Sequence, residues 1–190
     1  MKKNNSGITL IALIITIIIL IIIVSISVHE GKELIAKSKV QSLETNMLTI
    51  QAKAKAYAEE IDAKIWTESD NAGEADENGY TPKDRARNTQ FTSAEKAFTG
   101  PINIENQEIL TQLNNDIATS YVAYTVTGEA LSKIGLDEIK DETYVVVYSK
   151  NNYKLMDVIY PNGVKYENET RYTLSNLQSA LEEWDLRILS

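Results

Sequence analysis

From Ile8 to Val28 the chain carries no charged residue, and most positions are Ile, Leu or Val. As a helix this run measures about 31 Å, at roughly 1.5 Å per residue, close to the ~30 Å hydrocarbon core of a bilayer. The run predicts a membrane span, because a buried soluble helix of this kind needs a domain able to surround it on every side. Lys2 and Lys3 precede it. Positive charge is retained in the cytoplasm, so the N-terminus is expected inside and the rest of the chain outside. A cleaved secretory signal is the competing reading, with Ser25 and Ser27 before a cut at Val28. The apolar core of such a signal runs only about 7–15 residues, however.

Beyond the span the pattern becomes amphipathic. Val40, Leu43, Met47, Ile50, Ala54, Tyr57, Ile61 and Ile65 follow a 3-4 spacing that sets them on one helix face, with Lys39, Glu44, Gln51, Lys53, Lys55, Glu59 and Asp62 between them. Gly31 is a weak point, at about 1 kcal/mol against Ala in a helix interior. The stripe suits either a coiled-coil seam between chains or a face packed on the chain's own sheet. The strands expected downstream need a cover, which favours the sheet.

Trp66 to Pro101 shows little periodicity, with an acidic, turn-rich run over 68–79 and breaks at Thr81-Pro82 and Gly100-Pro101. It reads as a surface loop with a short helix around Ser93–Phe98. A second helix is expected over Ile104–Ile117, with Ile109, Leu110, Leu113 and Ile117 on one face. Tyr121–Thr127, Thr143–Tyr148 and Tyr153–Tyr160 are β-branched and aromatic, so they read as strands. The last two flank Asn151-Asn152 as a hairpin. Thr127–Leu136 reads as a short helix or turn, Pro161-Asn-Gly163 as the next turn, and Val164–Tyr166 with Arg171–Leu174 as a smaller hairpin. Ser175 to Gln178 matches a capping box that opens a final helix with Leu177, Leu181, Trp184 and Ile188 on one face. The expected class is α+β: a long N-terminal helix, a variable loop, a small antiparallel sheet and a C-terminal helix. The expected divisions are a span at 8–28, its amphipathic continuation at 29–66, and an exported domain at 67–190 with a variable loop at 67–101.

Charge and composition narrow the chemistry. The 190 residues hold 19 Lys+Arg against 27 Asp+Glu, a net charge of -8, which repels nucleic-acid phosphate. There is no cysteine and one histidine, His29, so disulfides, thiolate nucleophiles, thiolate zinc sites and His-pair metal sites are excluded. His29 beside Glu30 reads as a polar residue closing the span, with pH sensing as the alternative. Asp70, Asn71, Glu74, Asp76, Glu77 and Asn78 offer oxygen ligands for calcium, but without the register of a calcium loop, and a solvated surface loop is the favoured reading. No other cofactor is expected. The 10 tyrosines suit strand packing, or subunit interfaces and glycan contacts. Glycine-rich phosphate loops, nucleophile elbows and zinc-spaced pairs are missing, and Glu59/Glu60 and Glu182/Glu183 are adjacent on helices and so diverge. An enzyme is not expected.

The string Met1-Lys-Lys-Asn-Asn-Ser-Gly7 followed by Ile8-Thr-Leu-Ile-Ala-Leu13 resembles the N-terminal signal of type IV prepilins and pseudopilins. The resemblance implies a leader at 1–7, cleavage after Gly7 by a membrane-embedded prepilin peptidase, and methylation of the new N-terminal Ile8. The cut lies on the cytoplasmic side of the apolar run, so the span is retained. The resemblance further implies a pilin-like fold, and a span that packs between subunits of a filament, at Leu10, Leu13, Ile17, Leu20 and Val24. Its implied partners are other pilin subunits, a cytoplasmic assembly ATPase and a membrane platform protein. Two positions depart from the family's habit: Ile8 stands where Phe is usual, and Ala12 where a glutamate is thought to pair with a neighbour's N-terminal amine. A single-span receptor or binding module that stays in the membrane is the alternative.

Overall fold

The computed structural model describes residues 17, 37–65, 73–77, 79–113, 120–150, 152–166 and 168–188. The chain divides into two compact units, Met1–Gln41 and Ser42–Ser190. In the first, the described residues 17 and 37–41 are all helical, and Ile17 is 47% exposed. Gly7, Ile8, Leu10, Leu13, Leu20, Val24 and His29 lie outside the described residues.

The second unit opens with helix α1, residues 42–65. Then come α2 (Pro82–Phe91), β1 (Thr99–Ile102), α3 (Gln107–Gln112), β2 (Tyr121–Thr127), α4 (Glu129–Lys133), β3 (Thr143–Ser149), β4 (Leu155–Tyr166), β5 (Glu169–Thr173) and α5 (Leu174–Ile188). The five strands form one antiparallel sheet in chain order. Such a meander needs only local connections, and β2 to β3 is bridged by the short α4 and a 3-10 turn at Asp137–Ile139.

Register decides which residues share a face. Val122 pairs with Tyr148, Tyr124 with Val146 and Val126 with Tyr144, so these six project from one side. On that side α1 lies over the sheet, and the Tyr148 hydroxyl donates to the Ala54 carbonyl at 2.9 Å. Met47, Ile50, Ala54, Ala58, Ile61 and Ile65 of α1 are all buried. The stripe therefore serves the chain's own sheet. The other side carries Ala123, Val145, Val147 and Ile159, which form a cluster with Ile109 and Leu113 around α3. Tyr144 to Tyr148 are buried without interruption, as expected of a strand covered on both faces.

This arrangement corrects the expected pilin-like architecture of one long helix, apolar in its first half, laid on a small sheet. The described residues instead form a five-stranded sheet with helices against both faces, and no helix among them is long and apolar enough to cross a membrane. The physical reason for the second cover is the composition of β3, whose alternate residues are apolar on both sides. The region expected as a variable loop also contains α2 and β1. The helix expected at Ser93–Phe98 is a series of turns, and α3 begins at Gln107 behind an Asn106 cap rather than at Ile104. Pro161 to Gly163 do not end a strand: β4 runs through them, with an irregularity between Ile159 and Val164. Gly163 takes a φ of 63° there, and a β-carbon would meet the Thr170 and Tyr172 side chains at 2.5–2.7 Å.

The start of α5 differs too. Thr173, buried, accepts from the Asn176 N–H at 3.3 Å, so it supplies the cap expected from Ser175. Ser175 instead turns its hydroxyl to Asp157 of β4, donating at 2.7 Å, while the Asp157 carboxylate accepts from Ser175 N at 3.3 Å and from Val158 N at 2.8 Å. Burial pushes the Asp157 carboxyl above the usual range, with these hydrogen bonds pulling against it. A folded-state pKa above the unfolded one contributes stability that is present below the unfolded value, about 4, and is lost as pH rises through the folded value. Asp157→Asn keeps the oxygen that accepts from Val158 N and Ser175 N, lets the amide donate to the Ser175 oxygen, and removes the charge. Its stability relative to wild type is expected to improve steadily between pH 3 and pH 7 in urea titrations, and Asp157→Ala, which also loses the contacts to Ser175, should follow the same trend about 1 kcal/mol below it.

Candidate functional site

Polar chemistry concentrates where α1, α2 and the β3–β4 turn meet. α2 starts at a Thr81 cap: the Thr81 hydroxyl accepts from Asp84 N at 3.2 Å, and the Asp84 carboxylate accepts from Thr81 N at 2.8 Å. Pro82 follows at the first helical position, where its missing N–H costs nothing. This cap fixes the helix so that Arg87, one turn on from Asp84, points inward beside Phe91. Arg87 Nε donates to Asp62 of α1 at 2.8 Å, and its NH1 lies 3.6 Å from Asp84. The guanidinium lies over the Tyr153 ring, 4.1 Å from its centroid.

Tyr153 is placed by the turn itself. It adopts a φ of 53°, its N–H donates to Ser149 O at 2.8 Å, and the next N–H, of Lys154, donates to the Asn152 side chain at 3.0 Å. The Asx contact stabilises the turn, and a tyrosine at positive φ is uncommon. The positive φ expected of the Asn151-Asn152 pair thus falls on Tyr153, while Asn152 acts through its side chain and Asn151 lies outside the described residues. Under this joint lie Phe91, Phe98, Tyr124 and Tyr148, stacked, tilted or edge-on at 4.8–6.1 Å between ring centroids, with the Tyr124 hydroxyl bonded to Asn88. Burial raises the Tyr124, Tyr148 and Tyr153 hydroxyls well above their ordinary value. They stay protonated and serve as packing groups with a polar end.

Above the joint is an open hollow of about 410 Å³, lined by Lys55, Glu59 and Asp62 of α1 and by Asn152, Tyr153 and Lys154 of the turn. Its rim alternates in charge. A second tie lies beside it: Lys96, 1% exposed along its side chain, donates to Glu60 at 3.1 Å and sits 4.5 Å from the Tyr57 ring centroid. Asp62 and Asp84 share one arginine, and the phenols are held neutral. The chemistry of the cluster is that of a rigid joint under a polar recess.

Of the six calcium candidates, the structure describes Glu74, Asp76 and Glu77. Asp76 accepts from Tyr80 N at 2.9 Å and pairs with Arg85 at 3.0 Å, which commits its carboxylate to the turn before α2. Glu74 and Glu77 are exposed, and Asp70, Asn71 and Asn78 lie outside the described residues. Among the described residues no group of three acidic or histidine side chains is arranged to hold a metal ion. Arg87 and Asp84 escaped the sequence reading. The signal for them was the Thr81-Pro82-x-Asp84 cap, which announces a helix that apolar periodicity does not. Comparison of the chain with protein-family models, with curated proteins and with solved structures returns no match.

Proposed function

We propose that this chain is a structural subunit of a type IV pilus or of a type II secretion-like filament, made as a precursor and processed by a prepilin peptidase. The observation that carries the reading is the N-terminal string: Lys2 and Lys3, then Gly7, Ile8 and a run without charge to Val28. In this reading the run anchors the chain in the cell membrane with its N-terminus inside and residues 42–190 outside. Other subunits, an assembly ATPase and a membrane platform then draw it into a filament. Two features of the second unit support a structural role. It has an apolar core of its own, and the buried Asp84, Arg87 and Lys96 are engaged in internal ion pairs. The proposal concerns processing and assembly and does not rest on a pilin-like architecture.

Mass spectrometry of the chain from its native cell should find an N-terminus at methylated Ile8. Gly7→Val, which adds a branched side chain at the cut, should retain the leader and abolish assembly. An intact Met1 or a start near Val28 in the wild type would sink the reading, as would mature-size protein from the variant. A membrane-anchored binding module, with the recess beside Tyr153 as its contact surface, would then replace it.

A further inference from the structure

An open sheet has two edges, each a row of backbone N–H and C=O groups able to template another strand. At one edge, β1 is four residues long, its register slips between Thr99 and Ile102, and Pro101 has no N–H to offer. The other edge, β5, contains no proline. It is closed by a side chain. Gln112 Nε2 donates to Thr170 O at 2.6 Å, and Gln112 Oε1 accepts from Tyr172 N at 2.8 Å. These are the middle groups of the outward row, and one carboxamide from α3 satisfies both. One turn earlier on α3, Glu108 accepts from the Tyr172 hydroxyl at 2.7 Å. Ile109 and Leu113 seat this segment in the core, so the placement of Gln112 is fixed from beneath.

We propose that Gln112 is a gatekeeper that keeps a second copy of this chain from pairing through β5. The competitor is a second copy because β5 is complementary to itself. In an antiparallel pair centred on Thr170, each Glu169 faces the other copy's Arg171, and the two Thr170 residues exchange backbone hydrogen bonds. Glu169 and Arg171 pair within one chain at 2.9 Å, so in the doubled species each would trade this partner for its counterpart in the other copy. Gln112 occupies the carbonyl at the centre of that pairing. In a strand the N–H and C=O of one residue point the same way, so the Thr170 N–H also faces outward. Proline at 170 would therefore remove a donor from the edge and none from the β4 ladder.

The test uses the full chain in detergent, comparing each variant with wild type across a concentration series by sedimentation velocity. Gln112→Ala is expected to form a species of twice the wild-type mass, associating at least tenfold more tightly than wild type. In dilute Gln112→Ala the Tyr172 amide should exchange at least tenfold faster than in wild type, with protection returning as the doubled species forms. Gln112→Ala with Thr170→Pro should return to the wild-type mass. Glu108→Ala, which loosens α3 but leaves the carboxamide, should keep it. The proposal is overturned if Gln112→Ala matches wild type in mass and exchange, if the double variant still doubles, or if Glu108→Ala doubles as well.

Discussion

Met47→Asp is expected to destabilise the second unit by about 3–5 kcal/mol, in the range seen when a charge is left buried without a partner. Met47 is 1% exposed on the face of α1 that covers the sheet. An aspartate there either stays ionised in an apolar setting or takes up a proton, and both outcomes favour the unfolded chain. Leu48, the next residue, is 38% exposed, and Leu48→Asp should change stability by no more than about 0.5 kcal/mol. Urea denaturation of the two variants reads the difference as a shift in midpoint at nearly constant slope. A seam between chains would give a different pattern: Met47→Asp would then alter association and leave the unfolding of the isolated chain almost unchanged. Equal midpoints for the two variants would overturn the assignment of this face to the sheet.

The α1 stripe was legible because its signal is periodic and apolar: Met47, Ile50, Ala54, Ile61 and Ile65 recur at helical spacing, and all are buried. The strands β2 and β3 were legible for the related reason that consecutive β-branched and aromatic residues suit a strand. What escaped was the structure built on polar groups. α2 buries Asp84 and Arg87 with Phe91, so its inward face reads as hydrophilic and its mean pattern as a loop. β4 continues through Pro161-Asn-Gly163 because an irregularity absorbs the turn residues within a pair, and no local rule separates that from a chain reversal. The α5 cap came from Thr173 and Asp157, and the second of these is 18 residues from the Ser175 it serves. The recess beside Tyr153 joins residues about 90 positions apart, α1 to the β3–β4 turn, and spacing along the chain carries no trace of such a meeting. The proposed processing residues Gly7 and Ile8 are the reverse case. Their signal is local and lies wholly in the sequence.

Arg87→Ala is expected to cost about 3 kcal/mol, the lower end of the range for breaking a buried ion pair by removing one partner. The side chain is 8% exposed, and Asp84 beside it 9%, so neither is relieved by solvent when the other leaves. Asp62, at 32%, is better hydrated, which keeps the expected loss from the upper end. Arg87→Lys separates charge from shape. A lysine keeps the positive charge but cannot bridge Asp62 and Asp84 as a planar fork or lie flat on the Tyr153 ring, so a loss of about 1–2 kcal/mol should remain. Arg87→Met keeps the packing of the stem and loses the charge, and it should fall between lysine and alanine. Salt gives an independent check. Buried pairs are poorly screened, so the Arg87→Ala deficit should persist when ionic strength rises from 0.05 to about 0.5 M. The exposed Lys64–Glu60 pair on α1 is the contrast, and removing Lys64 should have an effect too small to resolve in high salt. If Arg87→Ala is as stable as wild type, the joint is not what holds α2 against α1. The recess above it would then have no rigid floor, and any binding role assigned to that surface would lose its structural basis.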